Sequence, residues 1–356
     1  MSKISFNNKN NLFYKTLKEK VDHYFESNDL NLTGNWKLYS KTIILCVSAI
    51  TIYGVIMFFD LPAFVSLPLC ALLGFNFASI GFNVMHDGGH GSYSEMKWLN
   101  KVMAYSLNAM GGNSYLWNVK HNLNHHSYTN IEGMDDDIDI RPWIRSNESQ
   151  PRYWFHKYQH IYWVFFYSFT YLFWIFFADF KKYFSRKVSN MKFKEMNLRQ
   201  HISFWVSKVL YIIMFLVLPM LKFGFWETIL GFVVLSAVCG LTLGVVFQIA
   251  HLVEDTEFPV ACEKTNKIEQ EWAIHQIETT ANFATQSRVV SWFTGGLNFQ
   301  VEHHLFPRIS HVHYPAISKL VKETCDQFKI KYIEYPNMFS ALASHVMHLK
   351  MVGSAR

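Results

Sequence analysis

Residues 63–90 read AFVSLPLCALLGFNFASIGFNVMHDGGH. The stretch Ala63–Met85 carries no charge and is long enough, as a helix, to cross about 30 Å of hydrocarbon. It runs without a loop into His86-Asp87-Gly88-Gly89-His90. Two histidines four apart share one helix face, about one turn from each other. Ionisable groups at the end of a membrane helix are costly to place and mark function. The stretch therefore predicts a membrane helix that delivers a chelating pair to one face of the bilayer.

Working outward, the apolar run Thr42–Phe59 precedes it, joined by the short turn at Leu61-Pro62. The two runs read as one hairpin, with spans at about 42–59 and 63–85. A second hairpin follows the same plan, with spans at about 204–221 and 228–250, a turn at Lys222-Phe223-Gly224, and an end directly on His251. Val102–Gly112 is too short to cross and reads as re-entrant or interfacial. Ile161–Ala178 is long enough. A single crossing there, however, would put the histidine clusters before and after it on opposite faces. Its rings, among them Tyr162, Trp163, Phe165, Phe169, Tyr171 and Trp174, suit the headgroup region, so we read 161–178 as an interfacial helix. The expected fold is an all-α integral membrane protein: four transmembrane helices in two hairpins, with a helical cytoplasmic cap holding a di-metal site. Residues 1–40 form an N-terminal arm, 41–330 the membrane domain and 331–356 a C-terminal tail. Lys15, Lys18, Lys20, Lys37 and Lys41, and the seven basic residues of 181–199, lie on one side, whereas the two hairpin turns hold only Lys222. The positive-inside rule then places both termini and the metal site in the cytoplasm.

Composition agrees. Of 356 residues, 50% are hydrophobic and only 17% charged, against about 25% charged in soluble domains. Disorder is excluded. The net charge of +6 is not gathered into a basic stripe, which argues against nucleic acid as a partner. Five cysteines without a CxxC pair form neither a disulfide framework nor a zinc ribbon. No cleavable signal peptide is visible at the polar N-terminus.

The 17 histidines are the anomaly. Beyond the first cluster, His121-Asn122-Leu123-Asn124-His125-His126 and Gln300-Val301-Glu302-His303-His304 repeat the chelating spacing, and His251 adds an eighth imidazole. Adjacent doublets point in different directions, so one cluster can serve two metals. Imidazole suits Zn, Cu, Fe or Ni, and ligand type alone does not choose among them. Ligating histidines pass their other N–H to an acceptor; candidates are Asp87, Asp135, Asp137, Asp139, Glu254 and Glu302. The isolated His23, His156, His160, His201, His345 and His348 read as surface or satisfied residues, as do His311 and His313.

HDGGH, HNLNHH and QVEHH, arranged around two membrane hairpins, resemble the membrane fatty acid desaturases. The words Thr129-Asn130-Ile131, Gly133-Met134-Asp135 and Leu305-Phe306-Pro307 strengthen the resemblance, which covers roughly residues 35–330. Gln300 in place of a first histidine is similar to the front-end subgroup, the linoleoyl-CoA or delta-5 and delta-6 type. Those enzymes insert a double bond between an existing one and the carboxyl end. The resemblance implies two Fe ions in a non-haem centre, with His86, His90, His121, His125, His126, His251, His303 and His304 as metal ligands and Gln300 at the variant ligand position. It implies O2 and two external electrons as co-reactants, and a fatty acyl substrate carried as acyl-CoA or acyl-lipid in a membrane. Many front-end members carry a fused cytochrome b5 domain with a haem-binding His-Pro-Gly-Gly. That motif is absent from this sequence, so the expected electron donor is a separate ferredoxin or cytochrome b5. An unactivated C–H bond lies beyond side-chain acid–base catalysis, so the cofactor supplies the hard step. A narrow apolar tunnel should hold the chain, with Trp117, Trp272 and Phe299 as candidate walls; His275 and Gln276 are left unassigned. Two rivals stay open: a lipid or carotenoid hydroxylase or ketolase with the same metals, and a histidine-rich metal transporter. A protein merely stapled by metal is a third.

Overall fold

A computed structural model describes residues 4–8, 11–262 and 264–355. It is helical almost throughout, and the strands are two-residue ladders. In chain order the helices that matter are α1 (Leu12–Ser27), α2 (Trp36–Phe58), α3 (Ala63–His90), α4 (Lys97–Ala104), α5 (Ser106–Ala109) and α6 (residues 114–128). Then come α7 (Trp154–Ser185), α8 (Leu198–Phe223), α9 (Phe225–His251), α10 (Trp272–Glu278), α11 (Arg288–Phe293), α12 (Gln300–Leu305), α13 (Tyr314–Phe328) and α14 (Met338–Ser354).

Among the described residues, five helices are long and apolar enough to cross a membrane: α2, α3, α7, α8 and α9. The two expected hairpins are present. Pro62 starts α3 and Gly224, at φ +90°, turns α8 into α9. Both second helices reach the histidines themselves, so α3 and α9 are longer than the apolar runs 63–85 and 228–250. The helix expected at 161–178 spans Trp154–Ser185, and by length it is a fifth candidate span. It starts at Trp154, where Tyr153 N–H donates to His156 Nδ1 at 3.1 Å, and runs through a π-helical turn at Trp174–Ala178 to Ser185.

α7 buries one stripe, Trp163, Tyr167, Tyr171, Ile175 and Asp179, and exposes another, Phe165, Phe169, Phe173 and Phe177. The buried stripe lies on α9, where a Cβ on Gly240 would stand 2.6 Å from the Ser168 carbonyl oxygen. Glycine is required there because the two backbones touch, the small-residue packing typical of membrane helices. Both ends of α7 are tied to other segments by hydrogen bonds or ion pairs. Gln159 Nε2 donates to the Arg145 and Leu349 carbonyls at 2.9 and 2.8 Å. At the other end Lys182 pairs with Asp136 at 2.8 Å, and Asp136 N–H donates to Asn124 between two site histidines.

The terminal segments pack against the rest of the chain. The arm contains α1, whose Phe13, Leu17, Val21 and Phe25 recur every four residues and pack with Ile317, Val321 and Cys325 of α13. The tail contains α14, capped by Asn337 and Ser340, whose His345 bonds the Tyr167 hydroxyl and the Leu252 carbonyl.

Candidate metal centre

Two of the three clusters sit on π-helical turns. Gly81–Met85 immediately precedes His86, and Val119–His125 contains His121 and His125. Such widened turns recur at functional sites because they re-aim side chains that a regular helix would stack. The glycines of the first cluster are packing requirements. A Cβ on Gly88 would lie 2.7 Å from Ala104 N, and one on Gly89 would lie 2.2 Å from the Trp117 ring. The third cluster is held by Asn282, which accepts from Val301 N–H at 2.9 Å and donates to Glu302 at 2.7 Å.

The eight predicted histidines converge, and their side chains form two groups. His86, His90, His121 and His303 make one; His125, His251 and His304 make the other, with all candidate ligand atoms of a group within 4.8 Å of one another. His121, His125 and Asp137 form an overlapping third set. His126 lies between the two main groups, its ring centroid 4.6 Å from that of His303 and 4.5 Å from that of His304. Its Nε2 is 3.3 Å from His121 Nε2, the same separation as His86 Nε2 from His121 Nε2. Two nitrogens each about 2.1 Å from one metal stand about 3 Å apart. Gln300 is buried and lines a cavity together with His303.

The outer nitrogens are tied down. His121 Nδ1 meets Asp137 at 2.8 Å, His125 Nδ1 meets Asp135 at 2.9 Å, and His304 Nδ1 meets Gln276 Oε1 at 2.7 Å. His303 Nδ1 lies 3.1 Å from the Tyr314 hydroxyl, and His251 Nδ1 lies 3.3 Å from the Thr279 carbonyl. The inner Nε2 atoms of His90, His125, His251, His303 and His304 are buried with no hydrogen-bond partner. Orphaned buried nitrogens cost about 1–3 kcal/mol each unless something ligates them. A ring fixed on one side and bare on the other is the arrangement of a metal ligand. Desolvation, then crowding by neighbouring imidazoles, pushes His126, His303 and His304 well below the ordinary imidazole range, which gives the neutral form a metal needs. His125 rises instead: burial, the largest single effect, lowers it, but the charge and hydrogen bond of Asp135 together with the Asp137 charge outweigh that burial. The donor set thus fits metal ions.

Of the six candidate acids, only Asp135 and Asp137 bond a histidine of the two groups. Asp87 faces His311 and Ser310, Asp139 pairs with Arg141, and Glu302 bonds Asn282 and Tyr332. Glu254 meets Ser344 through its backbone. Gln276, Tyr314 and Thr279 were not foreseen as partners. Gln276 carries no chelating spacing that would mark it in the sequence. Its neighbour His275 is in neither group and packs on Phe6. Thr129 and Asn130 gain roles too: Thr129 Oγ1 donates to Gln276 Oε1 at 3.0 Å, and Asn130 Nδ2 donates to the His251 carbonyl at 3.0 Å. Gln276→Leu removes the acceptor that orients His304. It should lower metal affinity or activity roughly 10- to 100-fold, with Gln276→Glu milder; metal titration of the two variants checks this.

A cavity of about 1400 Å³ passes the histidines. Phe82, Met110, Cys239, Leu243 and Leu297 line an apolar part, while Asp136, Asp139, Arg141, Lys182 and Asn190 line a polar one. Of the three expected wall aromatics only Trp117 is there, stacked on His121 at 4.7 Å. Trp272 instead bonds the His126 carbonyl, and Phe299 borders a smaller second cavity.

A bundle of apolar helices that converges eight imidazoles beside an apolar cavity defines a membrane enzyme with a histidine-built metal site. The sequence matches the fatty acid desaturase family over residues 62–336. It is 36% identical to an acyl-lipid (8-3)-desaturase of Physcomitrium patens, over 96% of this chain and 72% of that one. It is 33% identical to an sn-1 linoleoyl-lipid 6-desaturase of Arthrospira platensis, over 98% and 94%, and to one of a Synechocystis species, over 96% of each. The chain belongs to the fatty acid desaturase family, in its front-end subgroup. It is an integral membrane oxidoreductase that desaturates fatty acyl chains.

Proposed function

We propose that this enzyme introduces a cis double bond on the carboxyl side of an existing one in an acyl-lipid such as a linoleoyl lipid. The observation that carries the reading is the cavity. Its polar part adjoins the histidines directly, since Asp137 is both a wall residue and the partner of His121. A headgroup resting there leaves the carbons nearest the carboxyl end beside the metal site and the tail in the apolar part. Phe165, Phe169, Phe173 and Phe177 border the cavity and are also exposed, so a lipid enters sideways from the bilayer.

His86, His90, His121 and His303 would hold one iron and His125, His251 and His304 a second, with His126 between the two groups of side chains and Gln300 beside His303; the irons would supply the one-electron oxygen chemistry that side chains lack. The protein does the rest. Asp135, Asp137 and Gln276 fix the ring orientations. Trp117 and the apolar wall hold one C–C bond in place and exclude water. Overall, two hydrogens leave neighbouring carbons, and O2 with two electrons and two protons yields two waters. The electrons come from a separate ferredoxin or cytochrome b5.

Four helices cross, α2, α3, α8 and α9, with α7 lying under the cap. The bond of Lys182, at the C-terminal end of α7, to Asp136 between the histidine partners Asp135 and Asp137 supports that count. The basic segments then place the site and both termini in the cytoplasm. The test is gas chromatography–mass spectrometry, with double-bond-locating derivatives, of lipids from a host supplied with linoleate. The expected product has lost two hydrogens on the carboxyl side of the existing bonds. A hydroxy or keto lipid would overturn the reading.

A further inference from the structure

Lys41 is buried near the start of α2, and its ammonium has three donors. Nζ lies 2.8 Å from His311 Nε2 and 3.4 Å from the Trp292 carbonyl oxygen. His311 in turn sets Nδ1 3.1 Å from Asp87 Oδ2, which accepts from Ser310 Oγ at 2.7 Å. The third donor of Lys41 is left for a cavity of about 550 Å³ that Lys41 lines, distinct from the one at the metal site.

Lys37, Lys41 and Arg288 line this cavity with the neutral donors Ser40, Gln286 and Ser291, and no Asp or Glu among the described residues does. Two carboxylates bond wall residues from outside the lining, and both have further partners: Asp87 meets His311 and Ser310, and Glu334 meets Thr285 and Lys322. The larger cavity differs in carrying carboxylates on its wall, which pair with Lys120, Lys182 and Arg141. The small cavity is thus a concave, donor-rich, uncompensated positive site, which calls for an anion.

Its level in the membrane says which anion. Lys37 and Lys41 are on the first turns of a candidate span, next to exposed Trp36. Arg288 opens α11, whose Val289 and Phe293 are exposed and whose Phe293 packs on Phe75 of α3 at 5.2 Å. Cations beside lipid-facing apolar side chains are the pattern of a headgroup-level site. We propose that this cavity binds the phosphate of an anionic lipid, at a site separate from the acyl cavity. The bound phosphate takes the free Lys41 donor and ties α2 to α11 and to the His311 segment that holds Asp87.

The test uses the full-length, metal-loaded enzyme. Native mass spectrometry should show one phosphatidylglycerol retained beyond the phosphatidylcholine background. The Lys37→Gln/Arg288→Gln variant should bind it roughly 10- to 30-fold more weakly, from about 1 kcal/mol for each basic residue, while desaturation in neutral nanodiscs is unchanged. Lys41 stays intact because it supports His311. If the double variant loses neutral-lipid activity, Arg288→Gln alone carries the comparison. Equal retention by variant and wild type overturns the site. Saturable binding of inorganic phosphate with no preference for phosphatidylglycerol assigns a soluble anion and overturns the lipid. Neither readout depends on which double bond the enzyme makes.

Discussion

His304→Ala should reduce desaturation by roughly three orders of magnitude or more, while metal content falls from about two ions per chain to about one. The reason is geometric. His304 is one of only three histidines in its group, and its Nε2 faces those of His125 and His251 with no other partner. The other group, His86, His90, His121 and His303, remains whole. The substitution also frees Gln276, which then keeps its bond from Thr129. The helix bundle loses little, because His304 sits on the short α12 in the cap. His201→Gln is the control: that residue bonds the Tyr183 hydroxyl, far in sequence from any cluster, and should leave metal content unchanged. The measurement is metal analysis on purified protein beside product analysis. Two metals retained in His304→Ala, or activity within tenfold of wild type, would sink the two-group assignment.

Much of the candidate site's geometry is legible in the chain, for a physical reason. Chelation imposes short-range spacing, so HDGGH, HNLNHH and QVEHH declare themselves locally, and His251 was found because an apolar run ends on it. Gln276, Tyr314 and Thr279 declared nothing. An outer partner needs only one acceptor at the right distance, and the chain supplies it from 28 residues away in two of those cases. The acids show the same limit: Asp135 and Asp137 were read correctly, but Asp87, adjacent to His86, serves His311 instead. The hairpins were legible because about 20 apolar residues have few alternatives. Their junctions with the cap were less so, since π-helical turns carry no hydrophobic signature. The arm and tail carry weaker signals. The stripe Phe13, Leu17, Val21 and Phe25 was present in the sequence, but its period of four residues is easily lost among lysines and asparagines.

Lys208→Met should destabilise the folded protein by about 3–5 kcal/mol, the cost of leaving a buried charge without its partner. Lys208 and Asp179 pair at 2.7 Å with side chains 5% and 1% exposed. All three donors of the ammonium are used, because Nζ also meets the Gly111 and Ile175 carbonyls at 2.6 and 2.7 Å. Ile175 lies in the π-helical turn of α7, where a carbonyl is more easily spared for an outside donor. The second oxygen of Asp179 accepts from Trp174 Nε1 at 3.1 Å. Removing the lysine therefore strands one carboxylate and two carbonyls in a single step. Lys208→Met/Asp179→Leu should recover a good part of the loss, since it removes the stranded charge, but not all of it, since the carbonyls stay unmet. Thermal unfolding of the two variants in the same lipid nanodisc measures both. The effect reaches the site through named contacts: Trp174 packs with Met85, Leu107 and Trp117, and Trp117 stacks on His121. Without Lys208 to hold Asp179, the partner of Trp174, the Trp174 wall of the larger cavity loosens, so activity in the surviving folded fraction should fall further than metal content does. A Lys208→Met protein within about 0.5 kcal/mol of wild type, the range of an ordinary surface change, would show that the pair is not holding α7 to α8.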